Sequence, residues 1–264
     1  MHLARKNLGQ PYELYLLGEM PFETYDPQPL YCLGKSDCLV FTEHIYAMAL
    51  SRDWSGFMRL LQRIRYRDGR IGVATRNHYT EADWNPSNRW LVRDITAELA
   101  GGRAVRFDEK IDRAKFLLGR YGLKTALPVE DHHDSFIPVA EIARALPHLR
   151  DGDFVNVVRT AVGPDSPQAG IFGGSAWVGH TGLIAHGPDG AVHLIHSAEP
   201  AVREEPLAEF IARSVAAGRA PGAKQRLVGF KFLRLQDDPL ANLRQLDGDQ
   251  APRVTLPDGK AAGF

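Results

Sequence analysis

The sequence is poor in cysteine, has no surplus of either charge and contains no long apolar run. Two cysteines among 264 residues leave no disulfide framework, and Cys32 and Cys38 alone cannot make a four-cysteine zinc site. Any cysteine chemistry therefore rests on one thiol. Lys and Arg number 32, as do Asp and Glu, so the general attraction by which basic proteins hold nucleic acid or acidic membranes is missing. No stretch approaches the roughly 18 apolar residues of a membrane span. The first residues carry Arg5 and Lys6 but only a short apolar cluster, Tyr15-Leu16-Leu17, and no small-residue cleavage site, so no export signal is expected in this chain. Fixed-period repeats and low-complexity linkers are absent as well, and one continuous domain over 1–264 is expected.

What is present is a change of hydrophobic period half-way along. Ser36 or Asp37 suits the N-cap of a helix over Cys38–Leu50, with Phe41, Ile45 and Met48/Ala49 at helical spacing. Asp53 or Ser55 suits the cap of a second, with Phe57, Leu60, Leu61 and Ile64 as its buried stripe and Asp68-Gly69 as its end. Residues 70–90 read as a long ordered loop, the kind of segment that carries function. Shorter helical patterns follow at about 91–99, 109–120 and 139–146. Beyond 151 the pattern turns to strands at about 154–158, 177–186, 191–197 and 228–235, interrupted by a helix at about 206–217. The expectation is an α+β protein: a helical part (about 1–150) packed on one face of an antiparallel sheet (about 151–236), with an extended strap over 237–264.

Cys38 falls in the first turn of its helix, where unpaired N–H groups and the macrodipole favour an anion, so its thiol is expected to be more acidic than a free one. The bland alternative is a small buried core residue. A nucleophilic thiol needs a base, and the base needs a third group to hold its tautomer. His180 is the best placed of the histidines, because Gly179 and Gly182 beside it permit close approach. The turn Gly187-Pro188-Asp189-Gly190 makes its strand an antiparallel neighbour of the next. A three-residue loop sets residue 182 opposite 196 and places His180 and His196 on one face as diagonal neighbours. A loop one residue shorter or longer presents Ser197 instead, and His193 is structural in either register. A zinc site of His180, His186, His193 and His196 is the weaker idea, since six residues of strand separate the first two. Neither metal nor cofactor is expected.

Several segments share their order with a known family: Asp37-Cys38-Leu39-Val40-Phe41-Thr42-Glu43, Arg65-Tyr66-Arg67-Asp68-Gly69, Arg76-Asn77-His78-Tyr79, Asp83-Trp84, Gly179-His180-Thr181-Gly182-Leu183 and Ile195-His196-Ser197. Together they resemble the N-acetylmuramoyl-L-alanine amidase-like family (domain of unknown function 1460), a branch of the NlpC-type, papain-like cell-wall hydrolases. The likeness runs from about Gly9 to Leu235. It implies a papain-like fold with the nucleophile on the helical layer and the base on the sheet. It implies hydrolysis of the amide between the lactyl group of N-acetylmuramic acid and L-alanine in murein fragments, with Cys38 as nucleophile, His180 as base and His196 as third member. The Cys38 thiolate, kept by the His180 imidazolium and the helix N-terminus, is then expected to attack the lactyl carbonyl.

By the same resemblance Tyr66, Arg76, His78, Tyr79, Asp83 and Trp84 line the site, Arg76 facing a stem-peptide carboxylate and an aromatic ring facing the sugar. The alternative for Tyr79 and Trp84 is that they pin the loop to the core. Asp37 either binds a free amine or caps the helix. Where the family favours small hydroxyl residues after the cysteine and His-Val-Gly-Ile at the base, this chain has Leu39-Val40 and His180-Thr181-Gly182-Leu183. The family is usually exported, so the expected compartment is the cell envelope if an export segment precedes this sequence and the cytoplasm otherwise. Rival readings are a γ-D-glutamyl endopeptidase using the same Cys38 and His180, a thiol acyltransferase, and a non-catalytic binder of wall fragments. His132, His133 and the tail receive no function.

Overall fold

The computed structural model describes residues 1–162 and 176–247. A short helix, α1 (His2–Lys6), opens the chain. Asp37 accepts the Leu39 and Val40 N–H groups at 3.1 and 2.8 Å and so starts α2 (Cys38–Leu50). Asp53 accepts from Gly56 N–H at 2.7 Å and starts α3 (Trp54–Arg65). Asp68 and Gly69 then take the positive φ angles that turn the chain away. Residues 70–90 form an ordered passage whose wide helical turn, Thr80–Trp84, runs directly into Asn85–Ser87.

The middle of the chain departs from expectation. Residues 91–99 make β1 (Val92–Asp94) and α4 (Thr96–Ala100) instead of one helix. The pattern at 109–120 divides into β2 (Val105–Ile111) and α5 (Arg113–Tyr121), because the buried positions of β2 are Phe107, Glu109 and Ile111, a period of two that a charged residue disguises. β3 (Glu130–Pro138) begins with Glu130-Asp131-His132-His133-Asp134 and pairs with β2, so its polar run lacks the apolar alternation that marks a strand. At 139–146 the regular helix is only α6 (Ile142–Ala145).

The second half follows the expected pattern closely: β4 (Phe154–Ala161), β5 (Trp177–His186), β6 (Val192–Ala198), an unexpected β7 (Ala201–Pro206), α7 (Leu207–Arg219) and β8 (Gln225–Leu235). The expected strap begins as a helix, α8 (Pro239–Asp247), which Asp238 caps through Ala241 N–H. The rest of the expected strap, 248–264, lies outside the described residues.

The eight strands of the described residues join one antiparallel sheet in the order β2-β3-β8-β4-β5-β6-β7, with β1 also on β8. Helices α2 and α3 bury Phe41, Ile45, Leu61 and Ile64 against Phe154, Leu183 and Ile195 on one face. The other face is covered too: α7, with α4 and α6, packs Phe210, Leu207 and Ile142 on Val155, Val157, Ile184 and Leu194. The single helical layer expected from the sequence is thus two layers. The run Phe154-Val155-Asn156-Val157-Val158 is buried throughout, as a strand covered on both sides requires.

Candidate active site

The β5–β6 hairpin sets the geometry. Leu183 lies opposite Ile195 and Ile184 opposite Leu194, the register of the three-residue loop, whose continuation brings Gly182 to His196. A Cβ at 182 would stand 2.9 Å from the Ile195 carbonyl and 3.0 Å from His196 Cβ, so only glycine lets the strands close here. In this register His180 Nε2 lies 2.6 Å from His196 Nδ1, the rings nearly perpendicular at 84°. Phe210 of α7 backs both, stacked on His180 and edge-on to His196.

A third member follows His196. Its Nε2 lies 2.7 Å from Glu205 Oε1 on β7, and Glu205 in turn accepts from Arg213 at 2.5 and 2.7 Å and from Arg203 at 3.1 Å. Burial alone would raise the Glu205 carboxyl, but the hydrogen bonds from Arg213, His196 and Arg203 outweigh it and hold the group at about 2. An ionised Glu205 only accepts, so His196 carries its proton on Nε2 and offers Nδ1 as acceptor. His180 must then donate from Nε2, which leaves Nδ1 as its basic nitrogen. The relay has one direction, and it ends on that atom.

Cys38 heads α2 as expected, against Thr181, the residue after His180. No hydrogen bond joins the Cys38 sulfur to His180 among the described residues. Its acidity runs opposite to expectation. Burial, then the adjacent Asp37, pushes the thiol up to about 11, and the Thr181 hydroxyl and N–H and the Leu39 N–H only moderate this. The helix N-terminus does not make the thiol acidic because burial and the charge of the capping Asp37 outweigh the Thr181 and Leu39 donors. His180 is held well below its ordinary value by burial, then by the charges of His196 and Arg159. Both shifts favour the neutral thiol and the neutral imidazole, where the sequence leads one to expect a thiolate–imidazolium ion pair.

The remaining histidines separate. His193 turns to Glu204 at 3.2 Å and His186 to Asp151 at 2.7 Å, so the four histidines weighed for zinc do not converge. Ser197 accepts from the Ser36 hydroxyl and donates to the Ser36 carbonyl at 2.8 Å, tying β6 to the start of α2 without touching His180.

The residues of 66–84 expected to line the site make their polar contacts within the protein. Arg76 holds Glu19 through two nitrogens, at 2.8 and 2.6 Å, and Asp26 at 2.8 Å. Tyr66 donates to the same Glu19 at 2.9 Å. Trp84 is fully buried 4.7 Å from Phe154 and donates to Glu43, the partner of Arg65, so it has no face for a sugar. Asp83 accepts the Tyr79 N–H and pairs with Arg113, and Tyr79 is buried. His78 Nε2 meets the Val73 carbonyl at 2.7 Å, its ring between Phe116 and Tyr121. Asp37 is the helix cap. These residues fasten the 16–28 and 70–90 segments around the foot of α2.

Two members of the site have no place in the sequence reading. Glu205 sits on β7, and its signal was a polar strand returning directly after Ile195-His196-Ser197. Arg159 is the one charged residue of β4, and it lies across β5 beside His180.

With this geometry in place, the comparison with known proteins is direct. The AmiA-like family profile, described as N-acetylmuramoyl-L-alanine amidase-like, matches residues 2–216. The chain belongs to that family. Among solved structures it is similar to protein LPG0564 from Legionella pneumophila str. Philadelphia 1, at 18% identity and a TM-score of 0.75 over 89% of this chain and 87% of that one. An N-acetylmuramoyl-L-alanine amidase from Bacteroides uniformis ATCC 8492 is similar at 22% identity and a TM-score of 0.65, over 89% and 97%. At these identities the likeness speaks for the fold. No curated protein matches the sequence. No helix among the described residues of this AmiA-like protein is long and apolar enough to cross a membrane.

Proposed function

We propose that this protein is a cysteine-dependent N-acetylmuramoyl-L-alanine amidase that hydrolyses the lactyl–L-alanine amide of murein fragments. The observation that carries the reading is the directed relay Glu205–His196–His180, ending on a basic Nδ1, at the strand that Cys38 packs against. Family membership and the name of the Bacteroides uniformis structure support the choice of bond.

Because the resting pair is neutral, the thiol loses its proton as it attacks. Cys38 Sγ bonds to the lactyl carbonyl carbon while its proton passes to His180 Nδ1. The Cys38 backbone N–H has no partner among the described residues and is a donor for the oxyanion. His180 then gives its proton to the alanine nitrogen as the C–N bond breaks, leaving a thioester. Water, deprotonated by the same Nδ1, cleaves the thioester and releases the muramyl acid. Nothing in the sequence requires a metal or a cofactor for these steps.

Hydrolysis in ¹⁸O-labelled water tests the bond directly. The reading predicts one ¹⁸O in the lactyl carboxylate of the muramyl product and an unlabelled peptide that begins with L-alanine. Label in a peptide carboxylate would move the cut to the stem and contradict it.

A further inference from the structure

Arg76 is consumed by Glu19 and Asp26, so the carboxylate-reading task assigned to it from sequence is vacant. Arg159 is the cation that remains at the site. It rises from β4 where the β4–β5 register breaks: Val157 faces His180 and Val158 faces Val178, leaving Gly179 as the extra residue of a bulge. Bulges of this kind re-aim side chains beside active sites. Here the bulge admits the arginine itself. A Cβ at 179 would lie 2.6 Å from Arg159 Cδ and 3.2 Å from its Nε, so glycine is what lets the guanidinium stem lie across β5 next to His180.

The group is half-buried and has no ion pair among the described residues. Its Nε is shut away from solvent with no hydrogen-bond partner, and no Asp or Glu of the described residues forms an ion pair with it. Among the described residues the acid whose charge bears on it is Cys38, and its own charge bears on His180, which puts it within electrostatic reach of both groups. A guanidinium part-stripped of water and left without an anion is costly to keep, and it is a ready site for a carboxylate that arrives with the substrate.

We infer that Arg159 binds a carboxylate on the peptide side of the scissile amide, and that the substrates are stem peptides whose D-glutamate keeps its α-carboxylate free. The side follows from the chemistry. His180 delivers its proton to the leaving alanine nitrogen, and Arg159 stands beside His180, so it faces the departing peptide. In a stem joined through the γ-carboxyl of D-glutamate, the α-carboxylate of that residue is the first negative charge beyond the alanine. This inference rests on the amidase reading and adds to it a choice between stems that carry that carboxylate and stems in which it is amidated.

The test uses the whole protein and two muramyl tripeptides that differ only in D-glutamate or D-isoglutamine at the second stem position. The wild-type protein is expected to favour the carboxylate form by about 10- to 100-fold in kcat/KM, the scale of a charge-assisted hydrogen bond. Arg159→Gln is expected to erase the preference mainly through KM, and Arg159→Lys to restore part of it. Equal cleavage of both tripeptides by the wild-type protein overturns the inference and leaves the amidase reading intact. Cleavage of neither overturns the amidase reading, and the inference with it. Should Arg159→Gln keep the preference and instead shift the pH profile of Cys38 alkylation, Arg159 is the counter-ion of the thiolate and the assignment to substrate is wrong.

Discussion

His180 and His196 meet through Nε2 and Nδ1 at 2.6 Å, and the Glu205 carboxylate beyond them fixes which ring donates. An imidazole–imidazole contact alone could run either way. Anchored by a carboxylate held at about 2 by Arg213, His196 and Arg203, it runs only toward His180 Nδ1.

Removing the anchor should therefore cost rate more than binding. Glu205→Gln frees His196 to take the other tautomer, and kcat is expected to fall by about 10²-fold with KM little changed, the scale of one acid–base contribution. Steady-state kinetics on a muramyl peptide checks this. An unchanged kcat would remove Glu205 from the relay.

The neutral resting pair predicts an alkaline thiol. With Cys38 pushed up to about 11, its alkylation by iodoacetamide, followed by mass spectrometry of the Cys38 peptide, should still be rising at pH 9. A plateau at or below pH 7 would mean a preformed thiolate–imidazolium pair.

Arg76 gives the sharpest contrast between scaffold and binding site. Glu19 is fully buried, and Arg76→Met leaves it and Asp26 without their cation. The expected loss is about 3–5 kcal/mol of stability, or a Tm lower by about 6–20 °C. A calorimetric Tm within a degree of wild type, together with a raised KM, would restore Arg76 to the substrate site.

Much of this was legible in the sequence because local rules agreed with the fold. The Asp37 cap, the bounds of α2 and the loop length between β5 and β6 were each set by a few neighbouring residues, and together they placed Cys38 and paired His180 with His196. What sequence obscured was set by distant partners. β3 hides because Asp134 and Lys231 satisfy each other across the sheet, at 2.6 Å, so a strand that reads as a charged loop is half-buried. Arg76 and Trp84 look like binding residues because they are polar or aromatic in a long loop, and only the buried Glu19 and Glu43 show that they are bolts. The acidity of Cys38 is hidden for the same reason: burial and the charge of Asp37, the residue that caps the helix, outweigh the donors at its N-terminus.

Acid should withdraw the contributions of the buried histidines and of Glu205 in two overlapping windows. His44 and His78 are lowered by burial to about 3, and His196, by burial against the pull of Glu205, to about 4. At these sites the unfolded chain takes up protons first, so their contribution is full above about 6.5 and is lost as pH falls toward 4 and 3. Glu109 and Glu81, raised by burial to about 10 and about 7, hold their protons more tightly in the folded chain and act in the opposite direction. Glu205 adds a loss that begins below its ordinary 4.5 and continues toward 2. Urea midpoints of the protein and of a His44→Phe variant, measured from pH 7.5 to 4, should shift against the wild type as pH falls, and a difference that does not change with pH would contradict the burial assignment of His44.

The most direct measurement is mass spectrometry of a muramyl tripeptide incubated with the protein and with Cys38→Ala. The account predicts free muramyl acid and an L-alanine-led tripeptide with the first, and intact substrate with the second. Cleavage by both proteins, or a cut at any other amide, would contradict it.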